Sequence, residues 1–382
     1  MNENIFNSMS PDGKVFIVNN LCEITSCNEF YRFFIKKLKK ANKVYLACLA
    51  LDNDIKTQKI IKILRNRINN NKKTLLMCDK TRNNKSYIIK MLTDNKLINN
   101  IVFKDLRTSS WLPYFINEVL GVFHIKLYIL DDEIILSGAN LCRSYFENRV
   151  DRYFVIKDVD LANYLGEKVF EKKLHLKQYI TSIQHFSCSK LIQNTNIKVF
   201  TYNQFEEKNI LLHLFNTDFI KLYIASAYIN FPNNILNSLK NKQFTLFGPA
   251  PENNTFNSFG FFNQIITHLY GYSHYYTLSV LNKKYIYEFV KPNHSFHKKG
   301  IWLFYKTAAI NIIGSSNYNR RSNTQDIEQN MVLFTTDQKI ITLWKTEVDN
   351  IKNDCKKRFI NELIDRQSLF IIILFYILNF LL

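Results

Sequence analysis

One set of chemically distinct segments occurs twice in the chain, in the same order and at a nearly constant offset, and this constrains the fold more than any other feature. Lys43 to Leu51 reads KVYLACLAL, and Lys221 to Ile229 reads KLYIASAYI. Both runs are short, apolar and β-prone, the pattern of a buried central strand. Each is followed by a stretch of helical character and then by another apolar strand, Thr74 to Asp79 (TLLMCD) and Phe244 to Pro249 (FTLFGP). Later comes a histidine-bearing strand, VFHIKLYIL around His124 and FHKKGIWLFY around His297. Each leads through a hairpin into a turn ending in asparagine, Ser137–Gly138–Ala139–Asn140 and Gly314–Ser315–Ser316–Asn317. An acid stands 11 residues after each asparagine, Asp151 and Glu328. The lysines that open the first strands lie 178 positions apart, the histidines 173, and the asparagines and acids 177.

Such a repeat predicts a duplicated α/β unit, with two sheets packed face to face, helices outside, and equivalent motifs meeting at a pseudo-twofold axis. Residues 1–160 form the first half and 209–345 the second. Residues 161–208, lysine- and polar-rich without a strong strand, are expected to be a helical connection. Residues 346–382 are expected to be helical up to an apolar tail.

At 382 residues, with 47% hydrophobic and 22% charged side chains, the chain can bury a core in each half. Its formal charge of +19 raises the local concentration of anions, whether nucleic acid, lipid headgroups or phosphate-bearing substrates. The lysines are spread along the chain and form no arm. Seven cysteines without a CxxC pair argue against a disulfide framework and against structural zinc. The N-terminus reads neither as a secretory signal nor as a clear transit peptide. Ser368 to Leu382 (SLFIIILFYILNFLL) carries no charge. Its fifteen residues would rise about 22 Å as a helix, short of the roughly 30 Å hydrocarbon core. A half-inserted tail anchor is therefore expected.

Alternate strand residues share a face, so His124 and Lys126 are expected to point together, as are His297 and Lys299. A histidine beside a lysine on one face is poor core material and suits phosphate chemistry. The lysine offers a fixed positive charge to the non-bridging oxygens, and the imidazole can attack phosphorus or move a proton near neutral pH. Asn140 and Asn317 can donate amide hydrogens as charge builds in the transition state. Asp151 and Glu328 can accept from an imidazole Nδ1–H and leave Nε2 available.

The pattern H-x-K-x4-D followed by G-S-x-N is that of the phospholipase D superfamily. The first copy matches at His124, Lys126 and Asp131, with a turn one residue short. The second has His297, Lys299 and Gly314 to Asn317, but Phe304 stands where the aspartate belongs. The first stretch, HIKLYILDDEIILSGANLCRSYFENRVDRYFVI, resembles the eukaryotic CDP-diacylglycerol–glycerol-3-phosphate 3-phosphatidyltransferases, the mitochondrial phosphatidylglycerophosphate synthases. That family shares the shortened SGAN turn, the SYF-x-NR-x-DRY run and an FH-x-KG-x-W motif without the aspartate, here Phe296 to Trp302. Further similarity runs from about Lys43 to Asp337, including Asp79 to Arg82 and Gly248 to Glu252.

The resemblance implies transfer of a phosphatidyl group from CDP-diacylglycerol to glycerol 3-phosphate, through a phosphohistidine. His124 would be the nucleophile and His297 the general acid and then base, with Lys126, Lys299 and Asp131 completing the catalytic set. Arg82, Arg149 and Arg152 are implied as cations for the acceptor's phosphate, although Arg149 and Arg152 could instead pair with local acids. No cofactor or protein-bound metal is required, and a divalent cation could arrive with the substrate pyrophosphate. Anionic membrane lipid is the expected further partner, nucleic acid is not expected, and the implied location is the mitochondrial inner membrane. His294 could line the site, whereas the other histidines outside the motifs read as surface or packing residues. Tyr145, Phe146 and Tyr153 could flank acyl chains or cytidine but also suit a core. Leu51 to Asp54 (LDND) lacks a glycine-rich loop, so no ATP site is expected. The alternative readings are a phospholipase D-like phosphodiesterase using water or another alcohol, a nuclease, a serine-accepting transferase, or a non-enzymatic scaffold that binds anionic lipid.

Overall fold

The computed structural model describes residues 3–83, 85–106, 120–171, 191–257 and 261–379. The chain divides into two compact units. One comprises Phe16–Glu147 and Asp151–Lys198; the other comprises Met1–Val15, Asn148–Val150 and Val199–Leu382. The unit boundaries therefore differ from a simple cut between halves. The N-terminal helix Glu3–Ser8 belongs with the later residues, its Phe6 ring 5.0 Å from Phe200 and 5.1 Å from Phe334.

The strands in chain order are β1 (Phe16–Ile24), β2 (Val44–Cys48), β3 (Thr74–Asp79), β4 (Ile101–Lys104), β5 (Leu127–Leu130), β6 (Glu133–Leu136), β7 (Arg149–Val150), β8 (Tyr153–Lys157), β9 (Leu191–Asn203), β10 (Lys221–Ala225), β11 (Thr245–Pro249), β12 (Tyr285–Phe289), β13 (Ser295–Phe296), β14 (Gly300–Phe304), β15 (Ala309–Gly314), β16 (Gln329–Thr335) and β17 (Cys355–Phe359). In the first unit the order β1-β8-β6-β5-β2-β3-β4 runs across the sheet. In the second the order is β9-β16-β15-β14-β10-β11-β12, with β17 added at the edge. The two orders correspond strand for strand. Both contain a parallel triplet, β2-β3-β4 or β10-β11-β12, joined to an antiparallel run that begins at β5 or β14. The repeat seen in the sequence is thus a repeat of topology.

The apolar runs form central strands because both of their faces are covered. Every residue of β2, β14 and β15 is buried. The helices Cys27–Lys40 and Ile55–Asn69 lay Phe30, Phe34, Leu38, Ile60, Ile61 and Leu64 onto the first sheet. Their starts are capped by short polar side chains that accept orphan N–H groups: Ser26 from Glu29, and Asp54 from Lys56 and Thr57.

Three expectations change on folding. The segment 161–208 is not wholly helical: after the helix Val159–Phe170 it contains the 13-residue β9, then enters the helix Gln204–Phe215. The polar residues of β9 concealed its strand, while Ile197, Val199, Phe200 and Tyr202 supply the buried side. Residues 346–382 likewise contain β17, an antiparallel edge strand on β12, between the helices Gln338–Asn353 and Ile360–Ile364. Cys27, Cys48, Cys78, Cys142 and Cys355 are free, whereas Cys22 is disulfide-bonded, although the cysteine pattern argued against a disulfide framework.

The apolar tail forms the helix Leu369–Leu378. Ile371 and Phe375 pack on Leu269, Tyr270 and Tyr272 of the helix Phe261–Val280. Leu369, Phe370, Ile373, Tyr376 and Ile377 stay more than half exposed. No described helix is long and apolar enough to cross a membrane.

Candidate active site

In the first unit β5 runs antiparallel to β2, with Leu127 opposite Ala47, so the residues before β5 arrive at the C-terminal end of β2. His124 and Lys126 lie there, in the segment just ahead of the strand and not within it, and both are buried. The Lys126 ammonium donates to the His124 carbonyl at 2.6 Å. Asn140, also buried, accepts from the N–H groups of Leu49 and Ala50 through Oδ1, at 3.1 and 3.4 Å. This fixes which edge of the amide faces the loop after β2 and leaves Nδ2 as the edge able to donate elsewhere.

The support for this end of the sheet comes from residues that sequence reasoning did not assign a role. Asp79, fully buried at the end of β3, accepts the Phe123 N–H through Oδ2 and the Arg82 N–H through Oδ1, both at 2.8 Å. Asn83 accepts from Leu51 N–H and donates to the carbonyls of Leu49 and Asp79. Two buried side chains therefore tie the β2 loop, the β3 end and the approach to His124 together. A polar residue at the end of an apolar strand was the available signal.

Asp131 does not join this group. It lies at the other end of β5, in a turn with φ +56°, where its carboxylate accepts the N–H groups of Asn42 and Lys43. Its role is to close the corner at the start of β2, which corrects its expected catalytic placement. The same geometry accounts for Phe304 in the second copy. There the corner is held by the Ile220 N–H to the Phe304 carbonyl at 2.8 Å, and by Thr217 and Tyr305 hydroxyls 2.7 Å apart.

The second unit repeats the arrangement. β14 runs antiparallel to β10, with Gly300 opposite Ala225, so His297 and Lys299 arrive at the C-terminal end of β10. They lie between β13 and β14, again outside a regular strand, and are buried. Lys299 donates to the His297 carbonyl at 2.9 Å, as Lys126 does to His124, and its Nζ also lies 2.7 Å from His297 Nδ1. An ammonium only donates, so Nδ1 is the acceptor in this contact. The His297 N–H donates to the Val150 carbonyl at 2.9 Å, and the Tyr228 ring meets the imidazole edge-on at 6.0 Å.

Asn317 sits in the turn after β15. The Ser226 hydroxyl donates to its carbonyl, its N–H donates to Ser322, and its buried Oδ1 has no hydrogen-bond partner among the described residues. The next residue, Tyr318, is buried with φ +58°, a strained conformation for a bulky side chain that holds the turn in one shape. Beneath the turn, Glu207 accepts from Ser316, Asn323 and Asn330. Burial pushes its carboxyl well above the ordinary range, and nearby Glu328 adds to this against the lowering by the Ser316 and Asn323 hydrogen bonds. Glu328 itself accepts the Ser315 hydroxyl. Gly314 is required here: a Cβ would lie 1.9 Å from Asn330 Oδ1 and 2.7 Å from Asn330 Cα.

The remaining predicted residues divide. Asp151 is buried and accepts the Arg152 N–H through Oδ1 at 2.8 Å. Arg152 is buried, with its guanidinium 5.4 Å from the Phe154 ring and its carbonyl accepting the Ser137 hydroxyl. Arg82 follows β3 on the short helix Lys80–Asn83. Arg149 lies in β7, which pairs with β13, placing it in the same unit as His297. His294 points Nδ1 at its own loop, 2.8 Å from the Pro292 carbonyl oxygen. Tyr145, Phe146 and Tyr153 are core, packed around Phe30 and its neighbours. His274, read from sequence as a surface or packing residue, is buried with Nδ1 3.1 Å from Glu288, which also pairs with Arg366 at 2.9 Å. Burial by itself would raise the Glu288 carboxyl, but His274 and Arg366 outweigh it and hold it below the ordinary value.

No family model matches the chain. Among curated proteins, the probable CDP-diacylglycerol–glycerol-3-phosphate 3-phosphatidyltransferase of Dictyostelium discoideum is 22% identical, across 91% of this chain and 74% of that protein. The enzyme of that name from Saccharomyces cerevisiae is 27% identical over 63% of this chain and 61% of its own length. The human mitochondrial enzyme is 48% identical over a short region, 15% of this chain and 11% of that protein. The chain thus spans about three fifths to three quarters of the two longer matches. Among solved structures, phosphatidylserine synthase from Haemophilus influenzae superposes with a TM-score of 0.75 at 18% identity, covering 95% of each chain. The fold is the duplicated α/β arrangement that the repeat implied, and it is shared with that structure.

Proposed function

From this kinship with the CDP-diacylglycerol–glycerol-3-phosphate 3-phosphatidyltransferases, we propose that the chain transfers the phosphatidyl group of CDP-diacylglycerol to glycerol 3-phosphate, giving phosphatidylglycerophosphate and CMP. The observation that carries this reading is that both units bring a buried histidine, lysine and asparagine to the C-terminal end of the equivalent strand.

In the proposed first step Nε2 of His124 attacks the phosphatidyl phosphorus, an N–P bond forms, and the P–O bond to CMP breaks. In the second, the free hydroxyl of glycerol 3-phosphate attacks that phosphorus, its proton passes to His297, and the N–P bond breaks to restore His124. Lys126, Lys299 and the asparagine amides are the proposed partners of the charge that grows on the non-bridging oxygens. CMP is a good leaving group, so His297 contributes chiefly by deprotonating the acceptor. Arg82, Arg149 and Arg152 are the proposed contacts for the acceptor's own phosphate. These groups supply the positive charge without a protein-bound metal, and a divalent cation riding on the substrate pyrophosphate is compatible with them.

The lipid substrate places the reaction at a membrane surface, and the human relative is named as mitochondrial. The exposed side of the helix Leu369–Leu378, five large apolar residues, suits shallow burial in the headgroup region, lying along the surface rather than across it.

The test is transfer of radiolabel from glycerol 3-phosphate into lipid in the presence of CDP-diacylglycerol, by the wild type, His124→Ala and His297→Ala. Label entering lipid with the wild type and with neither variant is the expected result. CMP release without labelled lipid would overturn the choice of acceptor and favour water or another alcohol.

A further inference from the structure

The first unit has a basic groove away from the histidine motif. The helices Cys27–Lys40 and Ile55–Asn69 flank an open groove of about 350 Å³ lined by Tyr31, Arg32, Ile35, Lys36, Lys39, Lys40 and Lys59. Five of these seven residues are cations and none is an acid. The size lies within the range of small-ligand pockets. Arg32, Lys36, Lys39 and Lys40 fall at i, i+4, i+7 and i+8, one face of the first helix, and Lys59 meets them from the second.

The neighbouring lysines show what is unusual about this set. Lys37, on the same helix, pairs with Glu133, and Lys56, on the second helix, pairs with Glu147 at 3.2 Å. The five groove cations have no ion pair with a carboxylate among the described residues. Like charges one turn apart repel, so this face works against its own helix unless an anion bridges it.

We propose that this groove is a docking site for the phosphate headgroups of anionic phospholipid in a bilayer, separate from the half-site at His124. The proposal rests on the reading that the substrate is a membrane lipid, and it deepens that reading by naming where the enzyme grips the surface around its substrate. Lipid fits better than a single nucleic-acid strand, whose bases stack on open aromatic faces. The one aromatic ring here, Tyr31, is already covered, by the Lys56 ammonium at 5.1 Å and by Phe146 at 4.9 Å. The groove is open to solvent, with clustered cations beside Ile35 and Tyr31, which matches a headgroup and the start of its glycerol backbone.

The test compares full-length wild type with a variant combining Lys36→Gln, Lys39→Gln, Lys40→Gln and Lys59→Gln, all exposed positions. Sedimentation with phosphatidylcholine vesicles, with and without phosphatidylglycerol, reads the binding. The expected result is a loss of about tenfold or more on phosphatidylglycerol vesicles at low salt, with neutral vesicles unaffected. Equal binding by variant and wild type would overturn the proposal. So would a loss of oligonucleotide binding with vesicle binding intact, or displacement of wild type from vesicles by dilute inorganic phosphate, which would mark a free-anion site. Should the fourfold variant melt below the wild type, the single reversal Lys36→Glu replaces it and is expected to weaken the same binding several-fold. Transfer activity measured in detergent micelles separates this proposal from the functional one. The variant is expected to match wild type there, and a wild type without transfer activity would sink the assigned reaction while leaving the vesicle comparison decisive.

Discussion

The Asp79 carboxylate accepts the backbone N–H of Phe123 at 2.8 Å, so a residue 44 positions earlier holds the approach to His124. Its second oxygen is occupied by the Arg82 N–H, which leaves neither oxygen replaceable by a donor. Asp79→Asn must therefore turn an amide NH2 toward one of the two N–H groups. We expect a cost of about 2–3 kcal/mol, from one buried N–H left unsatisfied. Denaturant unfolding measures that cost, and transfer activity of the folded fraction should fall as well, because the backbone ahead of His124 is released. Full activity in the folded fraction would show that this hydrogen bond supports stability alone.

The two polar residues at opposite ends of the first hairpin should separate cleanly. Asn140 lies at the end that carries His124, and Asp131 closes the far corner. Asn140→Ala is expected to lower kcat by about 10²–10³, the loss typical of one transition-state donor. Asp131→Asn keeps an acceptor oxygen and tolerates the positive φ, so it should cost about 1 kcal/mol of stability and leave kcat near wild type. Steady-state kinetics on both variants decides between these roles.

Gly314→Ala places a methyl group against the Asn330 backbone as well as its side chain. The two residues are directly paired across β15 and β16, so the strain cannot be relieved by rotating one side chain. A destabilisation of about 2–3 kcal/mol is expected. The following Ser315–Asn317 turn should shift with it, and a thermal melt paired with a kinetic assay would show both effects. A melt unchanged from wild type would disprove the close approach.

Glu288 predicts a pH dependence. Its folded carboxyl lies below the ordinary value, because His274 and Arg366 outweigh the effect of burial. Its contribution is therefore present above the unfolded pKa and is lost as pH falls through the depressed folded one. Arg366→Met removes one counter-charge from a buried acid and should cost about 3 kcal/mol or more at neutral pH. The variant should also lose less stability than wild type on going from neutral to acid pH. Chemical denaturation at pH 7 and near pH 3, roughly the acid side of an ordinary carboxylate, tests both signs.

The duplicated architecture was legible because each half repeats strand-forming runs dense enough in apolar residues to be buried on both faces. β2 and β14 appear in the sequence as uninterrupted apolar segments, and β15 is interrupted by Asn311. β9 did not, since Gln193, Thr195, Asn196 and Lys198 dilute its apolar pattern below what local periodicity reveals. The candidate half-site residues His124, Lys126, Asn140, His297, Lys299 and Asn317 stood out for the same local reason: polar side chains embedded in apolar runs and turns of the sequence. Asp131 was misassigned because its spacing to His124 is a motif in sequence, yet a strand runs straight and carries its two ends apart. A four-residue strand alone separates them by about 13 Å.

The sequence by itself determined the repeat, the α/β class and the residue types of both candidate half-sites, because each depends on residue types at short spacing. Only the tertiary structure decided which distant groups support them. Asp79 and Asn83 reach His124's approach and the loop next to Asn140 through hydrogen bonds between segments far apart in the chain. Glu207, 109 positions earlier in the chain, sits under the Ser316 turn. Likewise, the tail read as apolar on every side, but docking on Tyr270 and Tyr272 gave it a covered side and an exposed one. The physical reason is common to all three. Local sequence specifies what a segment can bury or donate, whereas the partner that satisfies it is chosen by the packing of the whole unit.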